Sequence, residues 1–366
     1  MSRPGPGEPA AETAARRLRR QALACRQLGS PLYAGLLDHA AGDVLAGGPT
    51  ADVLDGHLTS PWPSALGLRM LGGVHALVLT GQAPGLAAFY PSAGGTADPG
   101  PGGARAWTAL RTVLAEQRAA VRGWLDRPPQ TNEVGRAAAL LGGLCHLAAE
   151  ARLPVRLVEI GASAGLNLRA DRFCIAGQAG RYGDPSSPVV LAGAWQGRPP
   201  PAAPAEVVER TGGDRAPIDP TAPEGRLALA AYVWADQTDR MERLRGALAI
   251  AAQVPADLRE ELASGTLRRT ALADGTWTVV WHSIVRQYLD ETQRSEVTAS
   301  IAALGAAATS SARFAWLCLE PYQRTADGQC LVMLTTWPGG NRRVLGTAPP
   351  HGLPVTWQVP PGAAGP

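Results

Sequence analysis

The sequence predicts an α/β protein with an all-α domain ahead of the sheet. Three observations predict it. Through residues 13–151, apolar side chains recur at the spacing of helix faces, and no stretch alternates as a strand does. At Pro154 the pattern changes to short apolar runs with helical stretches between them, the order expected of a sheet with crossover helices. The first of those runs, Val155-Arg156-Leu157-Val158-Glu159-Ile160, ends in the small-residue turn Gly161-Ala162-Ser163-Ala164-Gly165.

The elements follow in order. Ser30-Pro31 supplies an N-cap and a proline at the first helical position. Tyr33, Leu36, Leu37, Ala40, Ala41, Val44 and Leu45 then line one face, until Gly47-Gly48-Pro49 stops the helix. Further helical runs lie over residues 66–78 and 107–125, and from Asn132 to about Pro154. Strands are expected at residues 155–160, 206–210, 278–282, 314–319, 330–336 and 354–358, the last two forming an antiparallel ending. Helices are expected from Leu166 and over residues 237–253 and 291–304. Residues 177–204, rich in Gly and Pro, read as a long ordered loop. The expected organisation is a tail (1–12), a helical cap domain (13–151), an α/β domain (152–359) and a second tail (360–366).

Composition narrows the function. A chain of 366 residues with 45% hydrophobic content suits two coupled cores. The net charge is +3, and acids are interspersed among the arginines, which argues against nucleic acid or an acidic membrane surface as partner. The dense cluster Arg16-Arg17-Leu18-Arg19-Arg20 reads as a solvated helix face. The five cysteines are odd in number, widely spaced and without a CxxC pair, so free thiols in a cytoplasmic protein are expected, and no metal site. No apolar run approaches the ~20 residues of a membrane span, and the first residues lack a signal-peptide core. The expected partner is a small molecule.

The turn at residues 161–165 is the most informative stretch. Small residues after a strand let backbone approach a nucleotide, and a following helix would offer free N–H groups. A dinucleotide fingerprint needs glycines where Ser163 and Leu166 stand, so that class fits poorly. The arrangement instead resembles the first motif of class I S-adenosylmethionine-dependent methyltransferases, an acid at the strand end followed by Gly-x-Gly-x-Gly. Glu159 stands as the acid, Gly161 and Gly165 as the outer glycines, and Ser163 in place of the middle one. This resemblance implies a Rossmann-like methyltransferase-type sheet ending in an antiparallel hairpin, and S-adenosylmethionine as cofactor. It implies a cofactor lining of Glu159, Gly161, Ala162, Ser163, Gly165 and Asn167. It also implies a ribose-binding acid ending the second strand, assigned to Glu209 after Val207-Val208, with Asp184 and Asp214 as rivals.

Longer motifs run through the whole chain. They are Gly29-Ser30-Pro31-Leu32-Tyr33, Gln130 to Arg136, Leu157 to Leu168, Tyr182 to Pro188, Pro217-Ile218-Asp219-Pro220, Tyr232 to Gln237, His282 to Leu289 and Trp337-Pro338-Gly339-Gly340. Together they resemble an uncharacterised bacterial family, domain of unknown function 2332 (DUF2332), which brings no activity with it.

Four of these motifs carry polar groups with two readings each. Thr131-Asn132-Glu133 suits a helix cap, and Asn132 with Arg136 suits a substrate carboxylate. Tyr182 and Asp184 sit in a turn-rich segment that is either a capped turn or a substrate loop. Asp236 either caps the helix that follows it or reaches substrate. His282 ends a strand, where a histidine is either structural or a general base, and Tyr288 would line the same pocket. The preferred function is methyl transfer to a small molecule, with His282 and Tyr288 as the catalytic residues. Gly161-Ala162-Ser163-Ala164-Gly165 also matches a hydrolase nucleophile elbow, with Ser163 as nucleophile and His282 or His351 as its partner. A non-catalytic nucleotide-binding protein is the third reading.

Overall fold

The computed structural model describes residues 9–60, 65–98, 103–126, 129, 131–177, 180–321 and 328–357. The chain divides into two compact units, Met1–Thr131 with Pro223–Met241, and Asn132–Ala222 with Glu242–Pro366.

The first unit is helical. Its helices are α1 (Ala10–Gln27), α2 (Pro31–Leu45), α3 (Pro49–Leu54), α4 (Leu66–Leu79), α5 (Pro84–Ala87), α6 (Ala104–Glu116) and α7 (Arg118–Arg122). Helix α1 begins at Ala10, so the last residues of the expected N-terminal tail are helical. No strand occurs among the described residues up to Ala151, as the apolar spacing predicts. The core gathers Leu18, Tyr33, Leu36, Leu37, Met70, Leu71, Tyr90, Leu110 and Leu114. Trp234 and Ala235 join it from the later segment.

Helix α2 starts where Ser30-Pro31 predicts, with Ser30 accepting from Tyr33 N. A second cap arrives from far along the chain. Asp236 accepts from Leu32 N at 2.9 Å and from Ser30 Oγ at 2.5 Å. Asp236 therefore caps α2 rather than the helix that follows it. Asp236→Ala should cost about 1–2 kcal/mol, because it orphans a first-turn N–H and the hydroxyl beside it. Urea unfolding checks this, and Asp236→Asn should recover most of the loss.

The second unit carries a nine-stranded sheet. Helix α8 (Ala137–Glu150) leads into β1 (Val155–Ile160). Strands β2 (Cys174–Gly177), β3 (Gly180–Tyr182), β4 (Val190–Ala192) and β5 (Trp195–Gly197) precede β6 (Val207–Asp214). Then come α9 (Pro223–Ala231), which belongs to the first unit, and α10 (Thr238–Ala251), whose first turn does, followed by β7 (Asp257–Glu260), α11 (Ala263–Arg269) and β8 (Thr276–Ser283) of the second. The chain ends with α12 (Glu291–Ala307), β9 (Ala312–Pro321), β10 (Cys330–Trp337), β11 (Asn341–Ala348) and β12 (Val355–Trp357).

The order across the sheet is β5-β12-β11-β10-β9-β8-β1-β6-β7. Strands β7, β6, β1, β8 and β9 are parallel, while β10, β11 and β12 run antiparallel to their predecessors. The result is a mixed sheet with flanking helices. Strand β1 is interior, as the apolar run predicts, because both its faces are covered. On one face Val158, Ile160, Val280 and Phe314 meet Leu267, Val297 and Ile301. On the other, Gly143 of α8 admits the methyls of Leu317. Helix α8 thus belongs with the sheet.

Residues 177–204 are more structured than a loop. They contribute to a second sheet, ordered β3-β2-β4, and supply β5 to the edge of the first. All five cysteines are free and buried. Among the described residues, no helix is long and apolar enough to cross a membrane.

Candidate functional site

The parallel strands visit the sheet in a particular sequence. From β1 the chain steps outward to β6 and β7, then returns to β8 and β9 on the other side. The order reverses between β1 and β8. In open α/β sheets, the crevice beyond the strand carboxyl ends at such a reversal is where ligands sit.

Three segments converge there. The first is the turn after β1. Gly161, Ser163 and Gly165 all have left-handed φ, of 68°, 52° and 63°. Gly161 is exposed and the rest of the turn is buried. Four of its five amides have acceptors. Gly161 N and Ala162 N donate to Gly213 O at 2.9 and 3.2 Å, and Ser163 N donates to Asp214 Oδ2 at 2.8 Å. Gly165 N donates to Ala162 O at 2.7 Å, and Leu166 N to Asn132 Oδ1 at 2.8 Å.

The helix expected from Leu166 is a 3-10 segment, Leu166–Arg172. Arg169 explains why. Its guanidinium takes Gly165 O at 2.7 Å, the carbonyl its own amide would take in an α-helix, and its backbone is non-helical at φ −104°. The turn is therefore a self-satisfied structure and not an open amide cradle.

The second segment is the end of β6. The sequence places a strand end at Glu209, but β6 runs on to Asp214. Glu209 lies mid-strand and pairs with Arg156, Oε2 to Nε at 2.6 Å. The strand-end acid is Asp214, the rival. Its Oδ1 accepts from Ala216 N at 3.0 Å while Oδ2 holds Ser163 N. Gly212 and Gly213 are what admit this approach. A Cβ on Gly212 would lie 2.8 Å from Ala162 Cβ, and one on Gly213 would lie 1.9 Å from Thr266 Oγ1.

The third segment follows β8. His282 is 1% exposed, with Nδ1 2.7 Å from Glu320 Oε1 and Nε2 accepting from Trp316 Nε1 at 3.0 Å. An imidazole accepting at Nε2 is the neutral tautomer with its proton on Nδ1, so Nδ1–H donates to Glu320. His282 thus has no lone pair to offer a substrate, and its place is that of a positioning group. Glu320 Oε1 also accepts from Val285 N at 2.9 Å and Arg286 N at 3.3 Å. Burial opposes ionisation of Glu320, but the hydrogen bonds from His282 and these two amides outweigh it and hold the carboxyl below its ordinary range.

The pinned turn is strained. Ile284 has φ 55°, a left-handed conformation that costs a β-branched residue ~1–3 kcal/mol. Val285 then covers the turn after β1, at 2.5 Å from where a Cβ on Gly161 would stand. Arg286, Gln287 and Tyr288 are exposed, Tyr288 to 61%.

Under these segments lies Glu159, opposite Trp281 in the β1–β8 register and 2% exposed. Burial pushes its carboxyl up to about 8, a rise that the nearby Trp281 indole reduces, Asp214 increases, and Arg136 and Arg169 reduce. A carboxyl raised in the folded state binds its proton more tightly there than when unfolded. Its contribution is full below about 4.5 and is lost as pH rises through about 8. Glu159→Gln should therefore flatten the stability profile, gaining on the order of 2 kcal/mol near pH 9 and little near pH 5. Urea unfolding at the two pH values reads the difference.

The remaining expected residues are scattered. Asn132 holds Leu166 N, as above, and Asn167 Nδ2 donates to Glu133 O at 3.3 Å. Arg136 donates to Pro350 O at 3.0 Å and Ser283 O at 3.5 Å. These residues join the segment before α8 to the turn after β1, while Gln130 lies outside the described residues. Tyr182 packs on Trp195, ring centroids 5.6 Å apart. Asp184 is exposed and closes a local turn on Ser186, N and Oγ at 2.8 and 2.7 Å. The structure brings Glu159, Gly161, Ala162, Ser163, Asp214, His282 and the turn to Tyr288 to one end of the sheet. It does not bring Glu209 or Asp184 there, and Asp236 belongs to the first unit, where it caps α2. Sequence reasoning missed Glu320 and Trp316. Their only signal is the alternation Trp316-x-Cys318-x-Glu320, which puts them on one face around His282's register partner Cys318.

Among the described residues, no group of three His, Cys, Asp or Glu side chains is arranged to hold a metal ion. No curated protein matches the chain. The family model of DUF2332, described as an uncharacterized protein conserved in bacteria, matches residues 15–357, so the chain belongs to that family.

Proposed function

We propose that the second unit is a Rossmann-like methyltransferase domain that binds S-adenosylmethionine at the carboxyl ends of β1 and β8 and methylates a small molecule. The observation that carries this reading is the strand order β7-β6-β1-β8-β9, with an exposed Gly161 turn at its reversal and an acid ending the adjacent strand. S-adenosylmethionine has ribose hydroxyls and no phosphate, so it asks for a carboxylate more than for an amide cradle. Asp214 fits that role. A carboxylate has about four lone-pair sites, and two backbone N–H groups occupy Asp214. Gly161 would allow close approach of the nucleoside, and Ala162, Ser163 and Gly165 shape the turn. When bound, the cofactor supplies an electrophilic methyl group. The chain's part is alignment of acceptor and methyl, with the turn from Ile284 to Tyr288 holding the acceptor's side of the crevice.

A second reading has one observation in its favour. Ser163 has φ 52°, and a nucleophile elbow also strains its serine. Against it, Ser163 is buried and His282 is committed to Glu320 and Trp316. Calorimetry with S-adenosylmethionine and S-adenosylhomocysteine should show binding that survives Ser163→Gly and disappears in Asp214→Ala. Ser163→Gly should also stabilise the fold by up to ~1 kcal/mol, since glycine accepts left-handed φ freely. Absence of heat with both ligands would end the methyltransferase reading. Stoichiometric fluorophosphonate labelling at Ser163 would put the hydrolase in its place.

A further inference from the structure

The turn after β8 is built at some expense and presents little of what it holds. Ile284 is kept left-handed, Glu320 accepts from both following amides, and His282, itself held by Trp316, fixes Glu320 from behind. Arg294 Nε adds a bond to Arg286 O at 3.0 Å. Four groups thus fix the backbone of one exposed arginine. Strain that surrounding structure over-determines gathers at ligand clamps.

Two exposed arginines stand at these strand ends. Among the described residues, no carboxylate pairs with Arg286, and none pairs with Arg215, the exposed residue just beyond the end of β6. Strands β6 and β8 flank β1, so their ends stand roughly 10 Å apart, the span of a small molecule. Three acids at this end of the sheet are otherwise engaged. Asp214 is committed to backbone amides, Glu320 is buried behind the turn, and Glu159 is buried with its proton favoured.

Arg136 and Asn132, which the sequence suggests as carboxylate ligands, are engaged with backbone groups. We infer that Arg286 is the anion-recognising residue of this crevice and that the small molecule bound there carries a carboxylate. A guanidinium on a fixed backbone suits bidentate pairing with a planar carboxylate. Tyr288, exposed on the same turn, adds an aromatic surface, so an aryl carboxylate is the simplest probe.

This inference rests on the proposed function only for the place of the site. It is tested on the full chain with 4-fluorobenzoate and its neutral isostere 4-fluorobenzamide, titrated by fluorine NMR. The benzoate should bind the unmodified protein, the amide should not, and Arg286→Gln should weaken the benzoate roughly 10-fold or more. Arg118→Gln, an exposed arginine on α7, should leave it unchanged. Equal binding of acid and amide, no binding of the acid, or an unchanged affinity in Arg286→Gln would each overturn the inference. Calorimetry with S-adenosylhomocysteine on the same preparations separates the two ideas. Benzoate binding without cofactor binding sinks the methyltransferase reading alone, and the reverse sinks the carboxylate alone.

Discussion

Glu320→Ala should lower the unfolding free energy by about 3–5 kcal/mol, the largest loss expected from any single polar residue here. The magnitude follows from what Glu320 accepts. Removing it leaves His282 Nδ1, Val285 N and Arg286 N without their acceptor, in a place where His282 is 1% exposed. It also releases the two amides that follow the left-handed residue Ile284. Glu320→Gln keeps an acceptor oxygen and should lose less, about 1–2 kcal/mol, because the hydrogen bonds become neutral ones. Acid dependence separates the two effects. Glu320 is held below its ordinary range when folded, so its stabilisation is present above the unfolded value and lost as pH falls through the folded one. The unmodified protein should therefore lose stability toward acid more steeply than Glu320→Gln. Urea midpoints at a series of acid pH values read this, and parallel profiles would show that Glu320 carries no such charge.

Gly213→Val should be almost as damaging, at ~3 kcal/mol or more. Strand β6 is laddered to β1 on one side and β7 on the other, so its backbone cannot retreat. A new Cβ would meet Thr266 Oγ1 at 1.9 Å and Glu261 Cγ at 2.9 Å. Thr266 Oγ1 is itself tied to Glu261 and Leu262. Gly213 O holds both Gly161 and Ala162, so any shift of β6 also moves the turn proposed to meet the cofactor. The mechanism is steric and has a specific check. Thr266→Ala removes the closest obstructing atom, so in a double-mutant cycle it should recover about 1 kcal/mol or more of the loss from Gly213→Ala. Strict additivity of the two substitutions would place the cost elsewhere.

Much of this protein was determined by its sequence alone. Strands β1, β8 and β9 are largely buried on both faces, and such strands read as continuous apolar runs. Helices α2 and α12 announce themselves through local caps, Ser30-Pro31 in one and Asp290 with Gln293 in the other. The turn after β1 was legible because its small residues stand consecutively in the chain. What only the tertiary structure decided is longer in reach. Gly212-Gly213 reads as a break, yet β6 continues through it, because the glycines make room for Ala162 and Thr266. Leu166 opens a good helical sequence, yet the side chain of Arg169 takes the Gly165 carbonyl that a helix would use. Asp236 precedes one helix and caps another 204 residues away. His282 looks like a base at a strand end until parallel pairing of β8 with β9 brings Trp316 and Glu320 to its two nitrogens. The physical reason is the same in each case. Propensity and capping act within a few residues, whereas a buried polar atom is satisfied by whatever group the packed fold brings within about 3 Å, at any distance along the chain.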